Sequence, residues 1–209
     1  MKKKIPSSLN SNPKRWLETA ARWRLLSLLF QLPTRESRRE LKRLAGSVPN
    51  GLGALGRDWT RVPLRDAASE FHRVLGPGGI PAVESSYDPN ALAGRGPLLA
   101  DIAGFHEAFA YRPEKPPAEV PDHIAVELDF LSYVAFKVAF ALHEGRGGEA
   151  GIAWQAYDRF LEQHLATWMA PFRERLALTA SPFFAQAAES IELPTKKQKA
   201  APSFRRARR

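Results

Sequence analysis

Ile124, Leu128, Leu131, Ala135, Val138 and Leu142 repeat at the spacing of one helix face, and Val126, Phe130, Val134, Phe136 and Phe140 fill the other sides. A helix that is apolar nearly all round has to lie inside something, either a bilayer or a shell of other helices. Glu127, Asp129 and Lys137 decide against the bilayer, because each charge at mid-membrane costs about 3 kcal/mol. The segment is therefore predicted to be a buried core helix, and stable membrane insertion is not expected.

The rest of the chain supplies the shell. Asn12-Pro13 is a helix start, a capping side chain followed by proline at the first helical position. Trp16, Ala20, Trp23, Ser27 and Phe30 then share one stripe, widened by Leu17, Leu26 and Leu29, and Pro33 ends the helix. Thr34 caps a second helix to about Ala45, with Gly46 as its stop. Residues 46 to 63 read as glycine- and proline-rich loop, and Leu64 to Leu75 as a helix closed by Gly76. Gly76 to Gly96 is too rich in turn residues for regular structure, and a loop of that length inside a domain is usually functional or mobile. Leu98, Ile102, Phe105 and Phe109 mark a helix before the proline-rich hinge. After the core helix, Tyr157 to Trp168 form another that ends near Pro171, and short helices follow at 172–178 and 183–191. No alternating β pattern and no internal repeat is present. The expected fold is all-α: a single-domain multihelical bundle of roughly six to eight helices around a long buried central helix. Residues 1–12 are expected to be a disordered basic leader, 13–193 the domain, and 194–209 a disordered basic tail.

Charge follows that division. The net charge is +9, with a sequence pI of about 10.1. Lys2, Lys3 and Lys4 lie in the leader; Lys196, Lys197, Lys199, Arg205, Arg206, Arg208 and Arg209 lie in the tail. Removing those ten positives from +9 leaves residues 5 to 194 at −1. The body is thus close to neutral, and the tails carry at most a weak, salt-sensitive attraction to polyanions.

Several chemistries are excluded or weakened by what the chain lacks. With no cysteine there is no disulfide framework, cysteine zinc site, iron–sulfur cluster or thiol catalysis, which suits a cytoplasmic protein. The first residues carry no apolar run of a secretory signal. GLGALG, from Gly51 to Gly56, matches a dinucleotide fingerprint literally but has no strand before it, so it reads as a flexible turn. SRRELK, from Ser37 to Lys42, imitates an export signal but reads as a solvated helix face with Ser37 and Glu40 as a capping box. His123 and Glu127 share a helix face, yet two ligands do not make a metal site, and His164 among Phe160, Leu161 and Trp168 reads as a hydrogen-bonded core histidine. No nucleophile signature occurs. Neither an enzyme, a bound cofactor nor a metal is expected.

Pro121-Asp122-His123, where the hinge enters the core helix, supports two readings. Asp122 can cap the helix, leaving His123 as its first exposed residue. It can instead clamp an arginine through charge-assisted bonds, with the imidazole beside it. Glu84, Tyr87 and Asp88 from the long loop would add acceptors and an aromatic wall. The residues leave both readings open.

Glu84-Ser-Ser-Tyr87, LADIAGFHEAF from Leu99 to Phe109, VPDHIAVELDFL from Val120 to Leu131 and FLEQHLATWMAPF from Phe160 to Phe172 together resemble the TorD/DmsD/NarJ chaperones, which mature molybdenum-cofactor oxidoreductases. His106 stands where that family is expected to have tyrosine. The resemblance implies a cytosolic, cofactor-free chaperone. It would bind the twin-arginine signal peptide and catalytic subunit of an apo molybdopterin oxidoreductase, delay export and assist cofactor insertion. Carried onto this chain, the peptide-binding residues would be Glu84, Tyr87, Gly104, Phe105, Pro121, Asp122 and His123. The different-class alternative is a helical nucleic-acid-binding protein acting through its basic tails. A small-molecule enzyme in the loop has no catalytic constellation behind it. The hinge at Arg112 to Pro121 allows either a monomer or a domain-swapped dimer.

Overall fold

The computed structural model describes residues 11–89, 94–113 and 120–193. The tail expected over 194–209, nearly all of the leader and the middle of the hinge lie outside the described residues. Helix α1, Pro13–Leu29, starts as its sequence suggests, with the Asn12 side chain accepting from the Lys14 N–H at 3.0 Å. Its Trp16, Ala20, Trp23 and Ser27 face inward, whereas Leu17 stays about half exposed. Helix α2, Arg35–Ser47, is capped reciprocally by Thr34 and Ser37. The capping box is therefore Thr34–Ser37 and not Ser37–Glu40. Glu40 instead takes two hydrogen bonds from Arg24, at 2.7 and 2.9 Å, and Arg24 also reaches Asp129 at 2.6 Å. That guanidinium ties α1, α2 and the core helix together, and its two carboxylates hold its pKa above the usual value despite burial.

Residues 46 to 63 are not a loop. Asn50–Arg61 forms α3, with Leu52, Leu55 and Trp59 buried on one face. Gly46 is likewise inside α2. The glycines read as turn formers act here as contact points. A Cβ on Gly53 would fall 2.2 Å from the Val48 carbonyl oxygen, and one on Gly56 would press against Ala45 at 3.3 Å. Gly51 has open space around it. Gly53→Ala is expected to destabilise the protein by about 2 kcal/mol or more, because the clash is with backbone. Gly51→Ala should stabilise by roughly 0.5–1 kcal/mol. Urea denaturation of the two variants should show midpoint shifts of opposite sign.

Leu64–Leu75 forms α4, Gly96–Ala108 α5, Ile124–His143 α6, Gly147–Phe160 α7, Ala166–Ala177 α8 and Pro182–Glu189 α9. A π turn at Leu161–Leu165 joins α7 to α8, so these two make one continuous rod. Pro171 sits inside α8 and does not end it. It has no N–H to give the Thr167 carbonyl, but Trp168, Met169 and Phe172 around it are all buried, and that packing outweighs the missing bond.

The all-α fold is as expected: among the described residues there are helices and one isolated antiparallel bridge. Helix α6 packs against α1 and α7. Two serine hydroxyls fasten the α1 crossing, Ser27 donating to the Ala125 carbonyl and Ser132 to that of Ala20, each at 2.8 Å. Trp23 Nε1 donates to the Tyr157 hydroxyl at 2.9 Å and ties α1 to α7. At the other edge Trp59 of α3 stacks on Phe183 of α9. The core helix is not enclosed along its whole length, since Phe136 and Phe140 are 51% and 48% exposed. Among the described residues no helix is long and apolar enough to cross a membrane.

Candidate functional site

The loop after α4 is strapped to the entry of α6. Val83 and His123 form the antiparallel bridge, Glu84 N–H donates to the Asp122 carbonyl at 2.9 Å, and Ile124 N–H donates to the Ala82 carbonyl at 2.8 Å. The Asp122 side chain joins in, its Oδ2 accepting from the Ser85 N–H at 3.2 Å. A single helical turn at Glu84–Ser86 follows, and Tyr87 closes the loop by donating its hydroxyl to the Pro81 carbonyl at 2.8 Å. The Tyr87 ring stacks on Trp168 with centroids 5.3 Å apart, and the Arg175 guanidinium lies over it at 4.8 Å. Burial raises its phenol pKa.

The cap of α6 is His123 and not Asp122. Its Nδ1 accepts from the Ala125 N–H at 3.2 Å, which requires the neutral ring. Burial lowers its pKa to about 4. His123 is not the exposed residue that the sequence suggested; it is buried, and so are Asp122 and Glu84. Glu84 lies under the loop, held by His164 and Thr167. His164 Nδ1 is 3.1 Å from Glu84 Oε2, and the Thr167 hydroxyl is 3.2 Å from Oε1. His164 is the hydrogen-bonded core histidine expected from its apolar surroundings. On its other side Nε2 lies 3.3 Å from Asp101 Oδ2 on α5, without the alignment of a hydrogen bond.

Glu127 completes this buried centre. It is wholly enclosed, and its Oε2 accepts from Trp168 Nε1 at 3.2 Å. Burial first, then the neighbouring Glu84 and Asp122 carboxylates, raise its pKa well above the ordinary carboxyl value. Two adjacent buried carboxyls resist being ionised together, so Glu127 holds its proton more tightly than an ordinary carboxyl. Among the described residues no group of three or more His, Asp or Glu side chains is arranged to hold a metal ion.

Gly104 and Phe105 open onto the surface. They lie on α5 along a groove of about 820 Å³ between α5 and α7, floored by Phe105, Phe109 and Ile152 and edged by Asp101 and Asp158. Phe105 also presses edge-on against His164 at 5.6 Å, which links the groove to the buried centre. His106, the departure from the expected tyrosine, points inward against Tyr111 and Phe130. Burial lowers its pKa to about 4. The helix ends there in a Schellman turn. Tyr111 N–H reaches the His106 carbonyl at 2.8 Å, and Ala110 takes the left-handed position, φ 53°, that glycine usually fills. The turn brings the Tyr111 hydroxyl to Asp129 at 2.7 Å.

All seven residues singled out in the sequence therefore fall in one connected region, in two layers. Glu84, Asp122 and His123 are buried supports; Tyr87, Gly104, Phe105 and Pro121 reach or approach the surface. Sequence reasoning missed Asp101, Glu127, Ile152 and Thr167. Glu127 carried a signal, a carboxyl inside a helix otherwise apolar all round. His164 and Trp168 carried another, a polar pair four residues apart on an apolar face.

Among the described residues the chain is a helical protein with a strapped acid–histidine centre beside a surface groove. Residues 30–174 match the family described as nitrate reductase delta subunit, and the chain belongs to that family. The chlorate reductase assembly chaperone protein of Ideonella dechloratans is 29% identical over 85% of this chain and 84% of its own length. The selenate reductase assembly chaperone protein of Thauera selenatis is 32% identical over 55% of this chain and 60% of its own. The chaperone protein TorD of Vibrio cholerae is 39% identical over 57 residues. A crystal structure from Archaeoglobus fulgidus, of a protein whose proposed role is redox enzyme maturation, superposes with a TM-score of 0.57. It covers 82% of this chain and 90% of that one at 17% identity, a likeness of fold alone. The resemblance to the TorD/DmsD/NarJ chaperones is upheld, and so is the expectation of a protein that is not an enzyme.

Proposed function

We propose that this chain is a cytosolic maturation chaperone that binds the twin-arginine signal peptide of an apo molybdopterin oxidoreductase. It holds the client back from export while the cofactor is inserted. The observation that carries this reading is the α5–α7 groove, apolar along its floor and acidic at its edge, continuous with the strapped hinge. An export signal pairs arginines with an apolar run, and the groove offers a counterpart to each. Asp101 faces the arginines as an exposed carboxylate; Phe105, Phe109 and Ile152 take the apolar segment. Glu84, Asp122 and His123 act from beneath, fixing the loop that carries Tyr87 and the histidine that borders Asp101. The relatives named for chlorate and selenate reductase assembly support a reductase catalytic subunit as the client, in keeping with the molybdopterin oxidoreductase that the resemblance implies.

Titration calorimetry of the full chain against twin-arginine signal peptides from molybdoenzymes of the same organism tests the reading. Asp101→Asn is expected to weaken binding roughly tenfold, the effect of one charge-assisted contact. Ile152→Lys should remove it at accessible concentrations while leaving the helical circular-dichroism signal unchanged. If no such peptide binds the unaltered protein, the reading fails.

A further inference from the structure

The groove has a second candidate occupant within the same chain. We propose that residues 194–209 dock into the α5–α7 groove and act as a stand-in for the client peptide, so that a client must displace the chain's own tail. The proposal rests on the reading of that groove as the peptide site.

Charge comes first. Arg159 is the single cation among the groove's lining residues, against Asp101 and Asp158. Burial and the charge of nearby Glu162 both raise the Asp158 pKa, so a cation placed there relieves an existing repulsion. The tail supplies cations without a single acid: Lys196, Lys197, Lys199, Arg205, Arg206, Arg208 and Arg209. Its uncharged stretch also matches, because Ala200-Ala201-Pro202-Ser203-Phe204 precedes the Arg205-Arg206 pair, and the groove floor leaves Ile152 53% exposed. An aromatic beside paired arginines has the same combination of features that the groove is proposed to recognise in a client.

The path is short. The chain leaves the described region beside Glu192, which is fixed to Arg22 of α1 at 2.7 Å. The next residue of α1, Trp23, bonds to Tyr157 of α7, and Ala156 and Asp158 on either side of that tyrosine line the groove. The exit and the groove are thus separated by about two helix widths, roughly 20 Å. At about 3.4 Å per residue the tail spans that distance well before it reaches Phe204. A tethered occupant needs little intrinsic affinity, since its effective concentration is on the order of millimolar.

The test uses the full-length chain and a full-length variant carrying Phe204→Ser, Arg205→Gln and Arg206→Gln. The Ile152 δ1-methyl resonance is expected to differ between the two at low salt and to converge in high salt. The variant should bind a twin-arginine signal peptide about five- to tenfold more tightly, as expected if the tail fills the groove most of the time. An Ile152 resonance indifferent to the tail substitutions overturns the proposal. So does a resonance that shifts on dilution, which would place a neighbouring copy's tail in the groove. If Ile152 responds to the tail but no signal peptide binds either protein, the tail docks as proposed and the client reading alone fails.

Discussion

His123→Ala is expected to lower the stability of the protein by about 3 kcal/mol. The wild-type Nδ1 accepts the Ala125 N–H at 3.2 Å, and Ala125 itself is buried, so no water replaces the lost acceptor. An orphaned buried donor costs about 1–3 kcal/mol, and truncating a buried ring adds a cavity. The backbone of the same residue forms the bridge to Val83, so the loop carrying Glu84 and Tyr87 should loosen if the helix start does. His123→Asn separates the two roles. Asparagine is a preferred cap and can accept from the same N–H, so it should restore most of the stability. Urea denaturation followed at 222 nm, alongside signal-peptide affinity measured under native conditions, checks this. If His123→Ala weakens the peptide complex without moving the urea midpoint, His123 contacts the peptide directly and is not a buried support.

That expectation reverses the order of roles visible in the sequence, and the reversal has a physical cause. Helix existence was legible wherever one face was apolar and the ends were marked, as for α1 with Asn12-Pro13 and α6 with its unbroken run. It failed at α3, where three glycines read as turn formers. Two of them, Gly53 and Gly56, let α3 approach α2, a property of the pair of helices and not of either alone. Pro171 misled in the same way, because its local cost was visible and the packing of Trp168 and Phe172 that overrides it was not. At the site, the residue types near the hinge were legible and their depth was not. His123 reads as exposed until the loop from Ala82 to Tyr87 is laid along it by two backbone hydrogen bonds. Glu84 reads as a loop carboxylate until His164, eighty positions away, is placed against it at 3.1 Å. The groove was the least legible part. It forms only when α5 and α7 come together; nothing within the LADIAGFHEAF segment marks out Asp101, and Ile152 belongs to no motif.

Glu127→Gln is expected to stabilise the protein at neutral and alkaline pH. A carboxyl whose folded pKa is raised contributes nothing adverse below its unfolded value near 4.5, where both states are protonated. Above that value the unfolded chain ionises freely while burial and the Glu84 charge oppose ionisation in the fold. Stability therefore falls as pH rises towards and through the folded pKa. Glutamine keeps an acceptor for Trp168 Nε1 and has no proton to lose. The variant should melt on the order of 5 °C higher than the wild type at pH 8, with the difference vanishing near pH 4.5. The acid limb has the opposite origin and should survive the substitution. His123 is held neutral with a pKa of about 4, so its contribution is present above the unfolded value near 6.5 and is lost as pH falls towards 4. That shift corresponds to about 3 kcal/mol, and His106, also lowered to about 4, acts in the same direction. Wild-type stability is thus expected to peak between the two limbs, and Glu127→Gln to flatten only the alkaline one. Melting curves from pH 4 to 8.5 distinguish the cases: a constant offset at every pH would mean that Glu127 ionises in the fold as it does in the unfolded chain, and its raised pKa would have to be abandoned.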